Sequence, residues 1–122
     1  MMEENKFFCI KSEAQDGSGL TSFTIHLCEG HKVYEGHFPG KPVCPGVMTV
    51  AMVRECACKL AGRALEWVEI KNCRLTGMLF PGCDIVLALS LNPAEDRLVI
   101  AAEISDEADA EKKYLSLSGS LR

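Results

Sequence analysis

No apolar run in this chain approaches the roughly 20 residues that a membrane-crossing helix needs, so no spanning segment is expected. A basic stripe is also missing. Lys and Arg number 13 against 17 Asp and Glu, for a formal net charge of -4, and nothing stands out to neutralise a row of phosphates. A nucleic-acid partner is therefore not expected. The first residues, MMEENKFFCI, are acidic ahead of a short apolar patch, which is wrong for a secretory leader, and a cytoplasmic protein is expected. No CxxC pair occurs among the seven cysteines, Cys9, Cys28, Cys44, Cys56, Cys58, Cys73 and Cys83. Their odd number and scatter suggest neither a zinc site nor a disulfide framework. They read instead as small buried hydrophobes in a reducing compartment; Cys56 and Cys58, two apart on a predicted helix, point about 160° away from each other. Internal repeats and low-complexity segments are absent. With 122 residues, 48% of them hydrophobic and 25% charged, the chain is expected to form one domain, 1–122, around a single core.

What is present is concentrated in residues 34–51, YEGHFPGKPVCPGVMTVA. Gly36, Gly40 and Gly46 allow unusual backbone angles or close approach, while Pro39, Pro42 and Pro45 fix φ and remove donors. The result is a rigid loop with one histidine, His37, in its middle. From Pro45-Gly46 onward the sequence VMTVAMVRECACKLAG has no proline, and no glycine before Gly62, which predicts a helix over 46–62. That helix is apolar on nearly every side at first, with Arg54, Glu55, Lys59 and Arg63 all in or beyond its second half. A helix of this kind must be wrapped by other structure, and its N-terminal end is expected to be the buried one. A histidine in a rigid loop feeding a helix start is a way to hold an imidazole beside free backbone amides.

The remainder reads as strands. Residues 6–12 and 20–28 flank the turn-rich Gln15-Asp16-Gly17-Ser18-Gly19. In the second run Phe23, Ile25 and Leu27 alternate with His26, which is expected to face solvent. His31, in the polar turn Glu29-Gly30-His31-Lys32, is expected at the surface too. Residues 68–80 end at Pro81-Gly82, residues 84–92 end at Pro93, and runs over 97–105 and 114–121 flank an acidic loop. Short connections imply antiparallel neighbours. The expected class is α+β, with a curved antiparallel sheet of about six strands around one central helix.

The segment GHFPGKPVCPGV resembles the active-site segment of the beta-hydroxyacyl-acyl-carrier-protein dehydratases, hot-dog-fold enzymes of fatty acid and polyketide-like synthesis. The motif is long and compositionally unusual, and the order of elements fits nearly the whole chain. The resemblance implies elimination of water from a 3-hydroxyacyl thioester on an acyl carrier protein, giving a trans-2-enoyl thioester. It places the loop residues Phe38, Pro39 and Gly40 along the substrate and assigns His37 as catalytic base. It makes the Gly46 amide the donor to the thioester carbonyl, with the Val47 amide beside it. It implies no metal and no cofactor. It also implies a homodimer, or a higher hot-dog oligomer, with each site at the interface between chains.

One departure matters. The family pattern puts Glu or Asp fourteen residues after the histidine, and here that position is Ala51. Glu55, one turn further along the same face, is the candidate replacement; the plainer expectation is an ion pair with Lys59. Two alternatives therefore stand beside the dehydratase reading. One is a non-catalytic acyl-thioester-binding hot-dog protein, and the other is a half-site subunit paired with a related dehydratase that keeps the acid. A thioesterase is less favoured, because the loop resembles dehydratases. An acidic carrier protein needs a local basic patch to dock on. Lys41 is nearest in sequence, and Lys71, Arg74, Lys112 and Lys113 are further candidates. Cys44, although in the loop, is expected to pack, not to react.

Overall fold

A computed structural model of the chain describes residues 7–29 and 44–122. Six strands form one antiparallel sheet: β1 (Phe8–Gln15), β2 (Thr21–Leu27), β3 (Trp67–Leu75), β4 (Asp84–Ala94), β5 (Arg97–Asp106) and β6 (Lys113–Leu121). Among the described residues one helix, α1 (Gly46–Ala61), lies between β2 and β3 in the chain. The order across the sheet is β1-β2-β4-β5-β6-β3, and the class is the expected α+β one of an antiparallel sheet with a helix against it.

Alternation builds the core. Phe23, Ile25 and Leu27 of β2 face Leu87, Ile85 and their neighbours on β4, and all five are fully buried. Ile100 and Ile104 continue that face on β5, and Leu117 and Leu121 on β6. Against it α1 sets Met52, Val53, Cys56 and Ala57, each with no exposed surface. The helix starts after Pro45, whose φ of -64° and ψ of 144° are those of a residue about to enter a helix. It ends at Gly62, which adopts φ 74° and donates its N–H to the Cys58 carbonyl at 2.9 Å. A left-handed C-cap of that kind is why the helical run stops at this glycine.

Three expectations are corrected. First, short connections do not always give neighbours. β3 pairs with β6, not with β4, so it forms one edge of the sheet and β1 the other. Second, the run over 68–80 is a strand only to Leu75. Beyond it the Thr76 N–H bonds the Tyr114 carbonyl, and Gly77 sits against Lys113 and the Tyr114 ring. Third, the N-terminal end of α1 is not its buried end. Full burial lies in the middle of the helix, and Val47 is 76% exposed. Next to Val47, Met48 and Val50 are part-buried against the core and Thr49 is buried.

Irregularities in the pairing of both edge strands shape the sheet. Ile10 opposes Ile25 and Ser12 opposes Thr24, so Lys11 is an extra residue. A bulge of this type re-aims a side chain: Lys11 reaches across to Asp84 at 2.9 Å and Glu107 at 3.1 Å. On β3 the pairing skips Val68 and Lys71, and Gly119 of β6 lies between those two slips.

Candidate active site

The start of α1 is built from three backbone facts. The Cys44 N–H donates to the Leu79 carbonyl at 2.7 Å, which ties the residue before Pro45 to the segment leading into β4. The Pro45 carbonyl accepts the Met48 and Thr49 N–H groups at 3.0 and 3.1 Å, so the helical ladder begins there. The N–H groups of Gly46 and Val47, the first two residues of the helix, find no acceptor among the described residues. Such amides carry the positive end of the helix dipole and suit an oxygen on which negative charge develops.

Beside them lies a pocket of about 290 Å³ lined by Cys44, Gly46, Thr49, Leu75, Gly77, Met78 and Leu79. Its rim is apolar and open, with Met78 61% and Leu75 54% exposed. A Cβ on Gly46 would come within 3.0 Å of Leu75 Cδ1, so the absence of a side chain keeps this wall close. Cys44 is buried, and burial above all pushes its thiol up from the usual range, partly offset by the bond with Thr49. A neutral, packed thiol is what the sequence suggested for it. A larger groove, about 580 Å³, lies at the other end of the helix between Leu60, Arg63, Leu91 and Leu98. Arg63 is the one ionisable side chain among those lining it; the smaller pocket is set apart by the Gly46 amide at the helix start and by adjoining the segment that holds His37 in the sequence.

The proposed base His37, with Phe38, Pro39, Gly40 and Lys41, lies outside the described residues, as does His31. Ala51, at the position of the family acid, is half-buried on α1. Glu55 does not form the ion pair expected with Lys59; its carboxylate lies 3.8 Å from the Arg54 guanidinium. Arg54 itself is anchored by a 3.1 Å bond to the Leu65 carbonyl. Nine residues after Gly46, Glu55 stands roughly 13 Å further along the helix axis, so one chain does not bring it to the pocket. His26 lies on the outer face of the sheet, as expected, with Nδ1 2.9 Å from Asp84. Lys11 and then His26 hold the Asp84 carboxyl below its usual range. Of the further basic candidates, Lys113 is paired with Glu103 at 3.0 Å and Lys112 lies over the Tyr114 ring. Lys71 and Arg74 are exposed on β3. Thr49 was not singled out in the sequence. The available signal was a hydroxyl four residues after Pro45 in an otherwise apolar first turn.

Residues 11–114 match the ApeI-like family, described as ApeI dehydratase. The chain belongs to that family. This ApeI-like chain is also 31% identical over 87 residues to the 3-hydroxyacyl-[acyl-carrier-protein] dehydratase FabZ of Latilactobacillus sakei, covering 66% of this chain and 61% of that one. The corresponding FabZ of Erythrobacter litoralis is 28% identical over 87 residues, covering 61% and 58%. The ApeI-like chain thus spans about six tenths of the length of the curated relatives it matches. Among solved structures it is similar to the dehydratase heterocomplex ApeI:P of Xenorhabdus doucetiae, with TM-score 0.73, 18% identity and coverage of 93% and 96%. It also resembles the PaaI protein of E. coli, from the phenylacetic acid degradation operon, with TM-score 0.66 at 15% identity, covering 99% of this chain and 81% of that one. Those two likenesses establish the fold. They also show that the fold serves more than one protein family, so function has to be argued from the site.

Proposed function

We propose that this ApeI-like chain eliminates water from 3-hydroxyacyl thioesters held on an acyl carrier protein, giving trans-2-enoyl thioesters for fatty acid or related polyene synthesis. The observation that carries the proposal is the start of α1. Two amides there have no acceptor among the described residues, and the first, that of Gly46, belongs to a residue lining an apolar pocket, directly after the segment that holds His37 in the sequence. The thioester oxygen would accept from Gly46, with the Val47 amide as its neighbour. His37 would remove the proton next to the carbonyl, since an imidazole with an ordinary pKa of about 6.5 suits a base near neutrality. The carbanion character that follows resides on the thioester oxygen, where the amides oppose it. The hydroxyl then leaves with a proton from an acid, and Glu55 is the candidate on this chain.

The distance between Gly46 and Glu55 fits a site shared between two chains. Leu75 and Met78 are exposed at the pocket rim, Val47 is exposed on the first turn of α1, and β3 is an edge strand carrying the half-exposed Ile70. A second copy laid along this edge would cover that surface and bring its own α1 toward the pocket. The purified chain is therefore expected to sediment as two copies of the 13.3 kDa protein or more. A monomer at micromolar concentration would overturn the shared-site reading.

The direct test is turnover of a 3-hydroxyacyl carrier protein by the purified chain, followed by mass spectrometry of the enoyl product. With Glu55 as the acid, Glu55→Gln is expected to lower kcat by about 100-fold or more. A variant with the wild-type rate would remove Glu55 from the mechanism and leave an ordered water in its place. Ala51 supports a second reading, the half-site subunit. A chain that is inert alone and active when mixed with a related dehydratase chain carrying the acid would establish that reading over the first.

A further inference from the structure

We infer that Thr49 is a positioning residue that aims the Gly46 amide into the pocket; this inference rests on the reading of the site given above. Thr49 is 1% exposed and lines the same pocket as Gly46. Its hydroxyl donates to the Pro45 carbonyl at 3.2 Å, and Cys44 Sγ lies 3.2 Å from the same hydroxyl oxygen. One arrangement of protons satisfies both contacts: the Cys44 thiol donates to Thr49 Oγ1, whose own proton goes to the Pro45 carbonyl. The thiol also lies 3.6 Å from that carbonyl.

The consequence follows from the peptide unit. The bond between Pro45 and Gly46 is trans, so its C=O and its N–H point in opposite directions from one rigid plane. Whatever holds the Pro45 carbonyl therefore sets the direction of the Gly46 N–H. The pyrrolidine ring fixes φ of Pro45, and the remaining freedom is a rocking of that plane about ψ. Two N–H groups of the helix hold the carbonyl from the C-terminal side. The Thr49 hydroxyl adds a third donor from a side chain that is itself immobilised by burial. Through Cys44, this clamp also connects to the Leu79 carbonyl on the opposite wall of the pocket.

A threonine hydroxyl bonded one turn back is common in helices and by itself means little. Here the carbonyl it holds belongs to the peptide whose N–H, on the reading above, is the first donor to the thioester oxygen. Donors in such a site act through geometry fixed in advance, and full removal of one costs about 100- to 1,000-fold in kcat. Loosening it costs less.

The test compares Thr49→Val, which keeps the shape and removes the hydroxyl, with Thr49→Ser, which keeps the hydroxyl. For the whole protein acting on 3-hydroxyacyl carrier protein, Thr49→Val is expected to lower kcat by about 10-fold with KM unchanged, a fraction of the loss for a missing donor. Thr49→Ser is expected to recover most of the rate. A Thr49→Val enzyme with wild-type kcat would overturn the inference. So would a Thr49→Ser variant as slow as Thr49→Val, since packing and not the hydroxyl would then be at issue. A second readout does not depend on turnover. The backbone ¹⁵N order parameter of Gly46 should fall in Thr49→Val from a rigid value of about 0.85. Inert wild-type protein would defeat the dehydratase reading, and the order parameter would then decide the clamp alone, an unchanged value overturning it.

Discussion

Replacing Gly119 by alanine is expected to be the most damaging single-methyl change among the described glycines. Gly119 sits on β6 opposite Ile70, where the pairing with β3 slips on either side, skipping Val68 and Lys71. These slips press the β3 backbone down onto Gly119. A Cβ there would press into the Glu69 carbonyl oxygen and lie 3.0 Å from the Ile70 Cα. Both are backbone atoms, so no change of rotamer relieves the clash. β3 must lift from β6 or lose its bulges. Overpacking against a yielding side chain costs about 1–3 kcal/mol, and backbone that cannot yield puts Gly119→Ala at about 3 kcal/mol or more. For a chain of this size that lowers Tm by roughly 10 °C. Gly62→Ala is the control. Gly62 has open space around it, and only its φ of 74° resists a side chain, so its cost should stay near 1 kcal/mol. Equal Tm losses in the two variants would show that β3 gives way easily and that the bulges carry no strain.

The same strand shows where sequence reading stopped. The helix was legible because Pro45-Gly46 and Gly62 bracket a run without breakers, and Gly62 does adopt the left-handed cap. Strands β2, β4 and β5 were legible because their buried face alternates, as in Ile85, Leu87 and Leu89. β3 lacks that signal: from Val68 to Leu75 every residue is exposed in the single chain. Its period could not show which neighbour it pairs with, nor that it ends at Leu75. Pairing with β6 depends on a non-local contact, including the close approach at Gly119, and no local pattern encodes that. The first turn of α1 misled for a related reason. Val47 is apolar, so it reads as core, yet it is 76% exposed. For the candidate site, the helix start that leaves the Gly46 and Val47 amides without an acceptor among the described residues was legible from Pro45-Gly46. The role of Thr49 was not, because a hydroxyl bonded to a carbonyl one turn back leaves no mark on hydrophobic periodicity.

His37→Ala should give the largest loss of activity of any single change in this chain. The argument rests on the division of labour at the site. On the proposed reading the Gly46 amide and the apolar pocket would bind and polarise the thioester whether or not a base is present, so KM is expected to stay within a few fold. Proton removal from carbon has no other candidate base among the pocket-lining residues. Cys44 is held neutral by burial, and Thr49 is engaged with Pro45. Loss of a positioned general base typically lowers kcat by about 100- to 10,000-fold, or roughly 3–5 kcal/mol of transition-state stabilisation. The expected result is thus a fall in kcat by that factor, with Tm and oligomeric state unchanged. In wild type, kcat/KM should rise with pH through the titration of a single imidazole, and that limb should vanish in His37→Ala. Exogenous imidazole should restore part of the rate by supplying the missing base from solution. If His37→Ala retains activity within about threefold of wild type, the base is elsewhere and the assignment carried by the GHFP segment fails. If kcat falls and Tm falls with it, the comparison passes to His37→Gln, which preserves side-chain bulk but cannot take the proton. A slow but stable Gln variant upholds the base, and a fast one removes it.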